Sequence, residues 1–317
     1  MTAATSPSPS PGRRYELVGQ KQGRLVPLAV PTPGPAQVLV RVRLNGICAS
    51  DLPTWAQPQP SYPLPLGHEA VGIVIAAGAG ADLPPGSRVT GRFTPALADF
   101  VLADQRDLVV VPHEVATQHA LGEPLGCVAE AVRRAPPRQG DRVAVIGLGF
   151  MGLVMVQMMA AGSTSRVAAI DLRPDARAVA SRTGADEVHH PDDVEPLSHD
   201  SFDLVVEATG SQAGLDLATR LVRPHGTLSI LGYHQSARLV DVQAWNWKAI
   251  DVANTHVRDR DLLREATRRG LALLAAGRIN LEPLVTHVFP LDRVDDAFRA
   301  LEEKPAGFVK AVVEVST

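Results

Sequence analysis

Residues of types that can bind transition metals occur in short motifs in the first half of the chain. Cys48 lies in the run Gly-Ile-Cys-Ala-Ser-Asp, and His68 and Glu69 follow about 20 residues later in Gly-His-Glu. Glu123 lies further on, in Gly-Glu-Pro-Leu. One thiolate, one imidazole and one or two carboxylates suit a four-coordinate zinc ion with an exchangeable position. Judged by spacing alone, a buried cysteine, a hydrogen-bonded histidine and solvated glutamates are an equal alternative.

A glycine-rich turn predicts a second kind of site, one for a dinucleotide. An apolar strand-like run leads into the turn and an apolar helix-like run follows it; its residues are Gly147, Leu148, Gly149, Phe150, Met151 and Gly152. In this pattern the first glycine permits a tight turn, the second lets the backbone approach a pyrophosphate, and the third lets helix and strand pack closely. The N–H groups that begin the helix then face the phosphates. The alternative is a strand–turn–helix whose glycines serve packing alone.

Two charged residues after the next strand-like run bear on which dinucleotide binds. Asp171 lies 19 residues past Gly152, where an acidic side chain accepts hydrogen bonds from the adenosine ribose hydroxyls. Its charge repels a 2′-phosphate, which favours NAD. Arg173 follows two residues later and is able to pair with a 2′-phosphate. NADP therefore stays an alternative.

Two patterns of secondary structure must position these residues. As far as about Gly122, short apolar runs separated by Pro and Gly predict a compact antiparallel barrel or sandwich, with strands at Val38–Leu44, Ala70–Ala76, Arg88–Thr90, Asp99–Leu102 and Leu108–Val111. Beyond that point strand-like and helix-like runs alternate, which predicts a parallel sheet covered by helices on both faces. Its strands are expected at Arg142–Ile146, Arg166–Ile170, Leu204–Glu207 and Thr227–Leu231.

These motifs make the chain resemble the medium-chain dehydrogenase/reductase superfamily, in its zinc-dependent alcohol and polyol dehydrogenase branch. The resemblance covers nearly the whole chain and rests on Gly-Ile-Cys-x-Ser-Asp, Gly-His-Glu, Glu-Pro-Leu-Gly and Gly-Asp-Arg-Val-Ala-Val-Ile-Gly-x-Gly-x-x-Gly, in the family's order. It implies a β-rich GroES-like catalytic domain and an inserted Rossmann α/β domain with a parallel, doubly wound sheet. The implied boundaries are a disordered tail over 1–14, the catalytic domain over 15–128 and 262–317, and the NAD-binding domain over 129–261.

The resemblance also assigns roles to the metal-binding residues. Cys48, His68 and Glu69 match the catalytic zinc positions. Glu123 matches a position that is glutamate in sorbitol dehydrogenase-like enzymes, where it ligates zinc directly or holds the zinc-bound water. Ser50 matches the hydroxyl that relays the substrate proton, and together with Cys48, His68 and Glu69 it makes up the implied catalytic set.

Two further residues join the implied cofactor site, and two departures from the family pattern limit the rest. Lys310 matches a basic position near the cofactor pyrophosphate, and Thr209 is added to the same site.

The family often carries a structural zinc lobe with four cysteines. In this chain Gly91–Ala98 spans that region without a cysteine, so we expect one catalytic zinc ion and no structural zinc ion. Pro53 stands where the family often has a relay histidine, which leaves the proton path beyond Ser50 open.

Composition narrows the classes of partner. A net charge of −3, a pI near 6.4 and scattered basic residues predict no nucleic-acid binding. No apolar run reaches the length of about 20 residues that a membrane span needs, and the amino-terminus lacks an apolar signal core. We therefore expect a cytoplasmic enzyme with a small-molecule partner. A homo-oligomer is expected as well, with a dimer favoured.

The activity that the resemblance implies is hydride transfer between NAD(H) and a secondary alcohol, a polyol or an amino alcohol, or reduction of a ketone or aldehyde in reverse. Trp55 and Tyr62 are candidate walls of the substrate pocket. Two alternatives stay open. One is a lyase or epimerase of the same family that keeps its cofactor tightly bound, and the other is a dinucleotide-binding protein without catalysis.

Overall fold

The computed structural model describes residues 11–194, 197 and 201–315. The β-strands are β1 (Gly12–Gly19), β2 (Gln22–Leu28), β3 (Gln37–Gly46), β4 (Leu64–Pro65), β5 (Glu69–Ala77), β6 (Arg88–Gly91), β7 (Phe100–Asp104), β8 (Leu108–Val110), β9 (Arg142–Ile146), β10 (Arg166–Ile170), β11 (Glu187–His189), β12 (Phe202–Glu207), β13 (Val222–Ile230), β14 (Asp251–Asn254), β15 (Val285–Pro290) and β16 (Lys310–Glu314). The α-helices are α1 (Leu52–Ala56), α2 (Gly122–Arg134), α3 (Phe150–Ala160), α4 (Pro174–Arg182), α5 (Gln212–Leu221), α6 (Val242–Lys248), α7 (Arg260–Ala275) and α8 (Val294–Glu303).

A six-stranded parallel sheet forms the second part of the chain, in the order β11-β10-β9-β12-β13-β14. Its central strands are buried on both faces, as the continuous apolar runs of β9 and β10 predict. After β11 the chain returns to the other side of β9 and lays down β12. This reversal makes the carboxyl ends of β9 and β12 the switch point at which such sheets bind ligands. The predicted Rossmann fold class is confirmed.

The remaining strands form a mainly antiparallel, β-rich unit, which confirms the predicted GroES-like partner of the Rossmann fold. Its larger sheet has the order β15-β16-β3-β5-β6-β8, with β7 also paired to β3. A smaller sheet has the order β2-β1-β4. Because β16 pairs with β3, distant parts of the chain build one sheet. The exact domain boundaries stay a prediction.

The predicted disordered tail over residues 1–14 is wrong at its carboxyl end. Residues 12–14 belong to β1, where Arg13 lies opposite Pro27 and Arg14 opposite Val26 in the hairpin with β2. Arg13 also binds Asp99 through its backbone N–H and its guanidinium. Backbone pairing therefore orders these residues in spite of their polar composition. Residues 1–10 lie outside the described part of the chain.

Helices α2 and α7 pack against each other, and α2 also contacts β5 and β6 of the larger antiparallel sheet and helix α3 of the Rossmann unit. Two glycines allow the close approach: a Cβ on Gly126 would lie 2.3 Å from Thr267 Oγ1, and one on Gly270 would lie 2.6 Å from Leu125 Cγ. Thr267 Oγ1 also donates a hydrogen bond to the backbone oxygen of Gly122 at 3.2 Å. The first turn of α2, which carries Glu123, is thereby held in place. Among the described helices, none has the length and apolar character needed to cross a membrane.

Trp55 is a core residue, so its predicted role as a pocket wall is wrong. Its side chain is 0% exposed and stacks on Phe298 of α8 with ring centroids 5.5 Å apart. A buried indole N–H needs an acceptor, and Trp55 Nε1 donates to Asp295 Oδ1 at 2.8 Å. The same carboxylate accepts from Tyr15 Oη at 2.6 Å and from the backbone N–H of Gly23 at 2.9 Å. Asp295 therefore ties the first hairpin and α1 to α8.

We expect the substitution Asp295→Ala to lower the free energy of unfolding by about 3 kcal/mol, because it leaves three part-buried donors without an acceptor. Urea denaturation monitored by circular dichroism measures this change. Asp292→Ala is the matched control: Asp292 is exposed and lies three residues earlier in the chain, so its loss should cost less than about 0.5 kcal/mol. Equal effects of the two substitutions would contradict the central role of Asp295.

Candidate active site

Cys48, His68 and Glu69 come together at one end of the larger antiparallel sheet. One ligand atom from each, the Cys48 Sγ, a His68 ring nitrogen and a Glu69 carboxylate oxygen, all lie within 4.8 Å of one another. The strand register explains this, because Gly46 at the end of β3 pairs with Glu69 at the start of β5. The turn after β3 then carries Cys48 to the side of His68. The structure thus brings together the three residues whose spacing suggested a metal site.

Asp51 orients the imidazole of His68. Its Oδ2 lies 3.2 Å from His68 Nδ1, which leaves Nε2 as the ring nitrogen directed at Cys48. Burial lowers the pKa of His68, but hydrogen bonds to Asp51 and Cys48 and their charges outweigh it and raise that pKa to about 11. A carboxylate on the far nitrogen is the usual support of a metal-binding histidine.

The chemistry of these donors tests whether a zinc ion fits. Burial and the charge of Glu69 raise the pKa of the Cys48 thiol, whereas His68 and Lys310 lower it. The thiolate and the Glu69 carboxylate therefore destabilise each other unless a cation lies between them. The cation nearest to Glu69 is the ammonium of Lys310, 2.6 Å from its buried Oε2. Thiolate, imidazole and carboxylate are the ligands that zinc prefers, so the residues present fit the ion.

Ser50 lies at the exposed side of this group. Its Oγ donates to Cys48 Sγ at 3.2 Å, and its backbone N–H donates to the same sulfur at 3.5 Å. The hydroxyl is therefore both next to a predicted metal ligand and accessible to solvent. The role of Ser50 as a proton relay stays a prediction.

Lys310 connects the candidate metal-binding group, formed by Cys48, His68 and Glu69, to the start of helix α3. Its ammonium, on a side chain only 7% exposed, lies 2.6 Å from Glu69 Oε2 as an ion pair outside hydrogen-bonding geometry. The same ammonium lies 5.0 Å above the ring of Phe150, the first residue of α3. Gly46 makes room for the pair, because a Cβ there would lie 2.1 Å from Glu69 Oε2. The predicted contact of Lys310 with the pyrophosphate stays a prediction.

Glu123 lies close enough to the candidate metal-binding group to be affected by the charges of Glu69 and His68. It is 9% exposed, and burial together with the charge of Glu69 raises its pKa. Cys127, one helical turn later, donates to Glu123 Oε1 at 3.7 Å. Among the described residues, the cluster that gathers within 4.8 Å contains Cys48, His68 and Glu69 but not Glu123. A direct zinc bond from Glu123 stays a prediction, as does the alternative that it holds a water.

The glycine-rich turn has the geometry that the motif predicts. Gly147 has φ +94°, a left-handed conformation that favours glycine. A Cβ on Gly152 would lie 1.9 Å from the backbone oxygen of Gly147, whereas one on Gly149 would meet no atom within 4 Å. Packing thus explains Gly147 and Gly152, but the open side of the turn at Gly149 faces nothing in the protein. Of the other turn residues, Leu148 is fully buried and Met151 half-buried.

Asp171 and Arg173 lie beside the turn, but their side chains point to different partners. Asp171 Oδ2 accepts from the backbone N–H of Leu148 at 2.6 Å, and its Oδ1 accepts from the backbone N–H of Arg173 at 2.8 Å. The guanidinium of Arg173 instead donates through Nη1 to the backbone oxygen of Phe308 at 2.8 Å. The acidic residue is therefore anchored to the turn, and the basic one to the segment before β16.

Sequence reasoning missed Glu207, a fully buried carboxylate at the end of β12. It accepts from the backbone N–H groups of Thr209 and Gly210 at 2.6 and 2.9 Å and from the hydroxyl of Thr209, and its Oε2 lies 2.9 Å from His234 Nε2. These bonds hold Thr209 against the turn, where a Cβ on Gly147 would lie 2.7 Å from Thr209 Cγ2. The signal in the sequence that could have identified it is an acidic residue at the end of an apolar strand.

Comparisons with known proteins identify two domain families in the chain. The family model of the alcohol dehydrogenase GroES-like domain matches residues 34–139, and that of the zinc-binding dehydrogenases matches residues 183–307. A sorbitol dehydrogenase of Gallus gallus is 31% identical over 90% of this chain and 93% of its own. An L-threonine 3-dehydrogenase of Pyrococcus horikoshii is 25% identical with the same coverage.

Solved structures show the same fold. An alcohol dehydrogenase from Thermus sp. ATN1 superimposes with a TM-score of 0.86 at 26% identity, over 96% of this chain and 100% of the other. A structure from Sinorhizobium meliloti 1021 that holds NADP superimposes with a TM-score of 0.85 at 24% identity, over 96% and 99% of the two chains.

Proposed function

The chain belongs to the medium-chain dehydrogenase/reductase superfamily and is an oxidoreductase of its alcohol and polyol dehydrogenase type, and from this premise we propose that it transfers hydride between NAD(H) and a secondary alcohol, a polyol or an amino alcohol with one catalytic zinc ion. In reverse it would reduce a ketone or an aldehyde. The similarity to a sorbitol and to a threonine dehydrogenase supports polyols and amino alcohols as substrates.

The observation that carries this proposal is the double contact of Lys310. Its ammonium lies 2.6 Å from Glu69 Oε2 and 5.0 Å from the centroid of the Phe150 ring, so the metal-binding group and the start of the cofactor-binding helix are neighbours. Hydride transfer needs a substrate site next to a dinucleotide site. This neighbourhood supports redox chemistry over two unrelated binding sites.

Each residue of the site has a distinct task in the proposed reaction. A zinc ion held by Cys48, His68 and Glu69 would supply a Lewis acid for the substrate oxygen, and NAD would supply the hydride acceptor. Asp51 keeps the His68 ring in place, as its 3.2 Å contact with Nδ1 indicates. The exposed Ser50 Oγ takes the proton of the substrate hydroxyl and passes it to solvent.

Asp171 supports NAD as the cofactor, because its carboxylate is fixed beside the glycine-rich turn by the N–H of Leu148 and would repel a 2′-phosphate. The similar structure that holds NADP keeps NADP open as an alternative cofactor.

We include a homodimer in the proposal. The unpaired edge strand β14 exposes 40% of Val252, and Trp247 in the preceding helix is 91% exposed; exposed strand edges and large apolar side chains are typical of subunit contacts.

Metal analysis combined with an activity screen tests the proposed function. We expect about one zinc ion per purified chain and NAD⁺-dependent oxidation of at least one polyol or amino alcohol, followed by the absorbance of the reduced nicotinamide. Removal of the metal with a chelator should abolish turnover, and added zinc should restore it. NADH binding, measured by fluorescence, should survive the chelator, because the glycine-rich turn contains no metal ligand.

The same experiment separates the other candidate activities. Turnover of a substrate without net formation of NADH would replace the dehydrogenase with a lyase or an epimerase. Metal-free protein that binds NADH but oxidises none of the alcohols would indicate a dinucleotide-binding protein without catalysis. The grouping of Cys48, His68, Glu69 and Ser50 in one place argues against a protein without catalysis.

A further inference from the structure

The segment that leads into β16 touches both parts of the active site. The backbone N–H of Gly307 donates to Asp175 Oδ2 at 2.6 Å, and the backbone oxygen of Phe308 accepts from Arg173 Nη1 at 2.8 Å. Two residues later, Lys310 pairs with Glu69 of the metal-binding group. Residues 307–310 therefore join the first turn of α4, beside the predicted ribose site, to the metal-binding group.

The guanidinium of Arg173 is held between several partners at the predicted ribose site. Beyond its bond to Phe308, it lies 4.0 Å from Asp171 Oδ1 and 3.7 Å from Asp175 Oδ2, and its side chain is 24% exposed. Two carboxylates and a carbonyl oxygen thus surround one cation. The cation borders the place where a 2′-phosphate would sit, because Asp171 is the residue predicted to bind the adenosine ribose.

We propose that Arg173 is a specificity-determining latch: it binds Phe308 next to the Asp175–Gly307 hydrogen bond, and because its guanidinium is engaged there it does not recruit a 2′-phosphate. The inference rests on the proposed function, since it concerns which nicotinamide dinucleotide that site accepts.

Electrostatics gives the latch its selectivity. A 2′-phosphate brings about two negative charges next to the carboxylates of Asp171 and Asp175. Arg173 stands between these carboxylates, and to neutralise the phosphate it must leave the carbonyl oxygen of Phe308. The other guanidinium on this side of α4, that of Arg177, donates to the backbone oxygens of Asp171 and Leu172. When Arg173 moves, the carbonyl oxygen of Phe308 loses its hydrogen-bond donor, and the contact of residues 307–308 with α4 becomes weaker. A ribose with a free 2′-hydroxyl donates to Asp171 and leaves the latch closed.

Direct binding of NADH and NADPH to the zinc-loaded, full-length protein tests the latch without relying on turnover. Asp175→Ala removes the acceptor of the Gly307 N–H and one of the carboxylates that hold Arg173. We expect the ratio of the Kd for NADPH to the Kd for NADH to fall about tenfold, the size expected for one charge-assisted contact. Arg182→Ala is the matched control, because Arg182 lies exposed at the end of the same helix and should leave the ratio within about twofold.

A double variant separates release of Arg173 from simple loss of a negative charge. If freed Arg173 binds the phosphate, adding Arg173→Met to Asp175→Ala should reverse the gain in NADPH affinity. Hydrogen exchange at the Gly307 amide gives a second readout. It should speed up when NADPH binds the wild-type protein, as the latch opens, and should not speed up when NADH binds.

The outcomes distinguish failure of the latch from failure of the proposed function. A wild-type protein that binds neither dinucleotide overturns the proposed function and the latch together. NADH binding with a ratio that Asp175→Ala does not change overturns the latch alone. A gain in NADPH affinity that persists in the double variant also overturns it, because the gain would then come from charge and not from Arg173.

Discussion

The substitution His68→Ala should reduce kcat by at least about a thousandfold, because it removes a ligand from the proposed zinc site and with it most of the Lewis acid effect. The Kd for NADH should stay within about twofold of the wild-type value. The imidazole does not contact the glycine-rich turn; its partners are Asp51 and Cys48. Stopped-flow or steady-state kinetics with any active alcohol, together with fluorescence titration of NADH, measures both quantities.

A second histidine provides the control for this experiment. His113 is 93% exposed in its side chain, so His113→Ala should leave kcat, NADH binding and zinc content unchanged. Zinc content is a second measurement, and it would not change if the role of His68 were merely structural. We expect the zinc content to fall in His68→Ala while the melting temperature changes little. Wild-type kcat in the His68 variant would rule out the zinc mechanism.

The substitution Gly149→Ala should weaken NADH binding by tenfold or more, on the order of the loss of one close backbone contact, without changing the melting temperature. A Cβ at this position meets no protein atom within 4 Å, and φ −71° with ψ −175° is a conformation that alanine readily adopts. The added methyl group therefore conflicts only with something that binds at the turn. Calorimetric melting and NADH titration of the same sample provide the two measurements.

Gly152→Ala is the informative contrast. Its Cβ would lie 1.9 Å from the backbone oxygen of Gly147, so it should lower both the melting temperature and NADH affinity. If Gly149→Ala binds NADH as well as the wild type does, the pyrophosphate does not approach this turn, and the dinucleotide site would have to be sought elsewhere.

The elements that could be predicted from the sequence are those whose residues suffice to define them. β9 and β10 have the predicted bounds, each an exposed arginine followed by four buried apolar residues, because a central parallel strand is apolar on both faces. Helix α2 was not predicted from the sequence. It opens with Gly-Glu-Pro-Leu-Gly, in which the two glycines and the proline have low helix propensity, and Gly126 and Gly270 let it pack on α7. That stabilisation comes from distant residues and leaves no local signal.

The site also contains features that could be predicted from the sequence and features that could not. Cys48, His68 and Glu69 were found because each stands in a short motif, and one antiparallel register brings them together. The partners of Lys310 and Arg173 could not be predicted, since they depend on how β16 and the segment before it lie against β3 and α4. Asp171 was placed correctly beside the turn through the strand–turn–helix spacing, which is a local property.

The pairing of β16 with β3 has a consequence for the order in which the protein is made. Every strand of the parallel sheet lies between these two strands in the chain, so the ribosome releases the complete Rossmann unit before Lys310 appears. Domains commonly fold as they emerge. Until then the carboxylate of Glu69 lacks its buried counter-charge, and residues 44–46 of β3 lack a partner strand on the side opposite β5. The catalytic centre, although its ligands are synthesised early, is thus among the last parts of the molecule to be assembled.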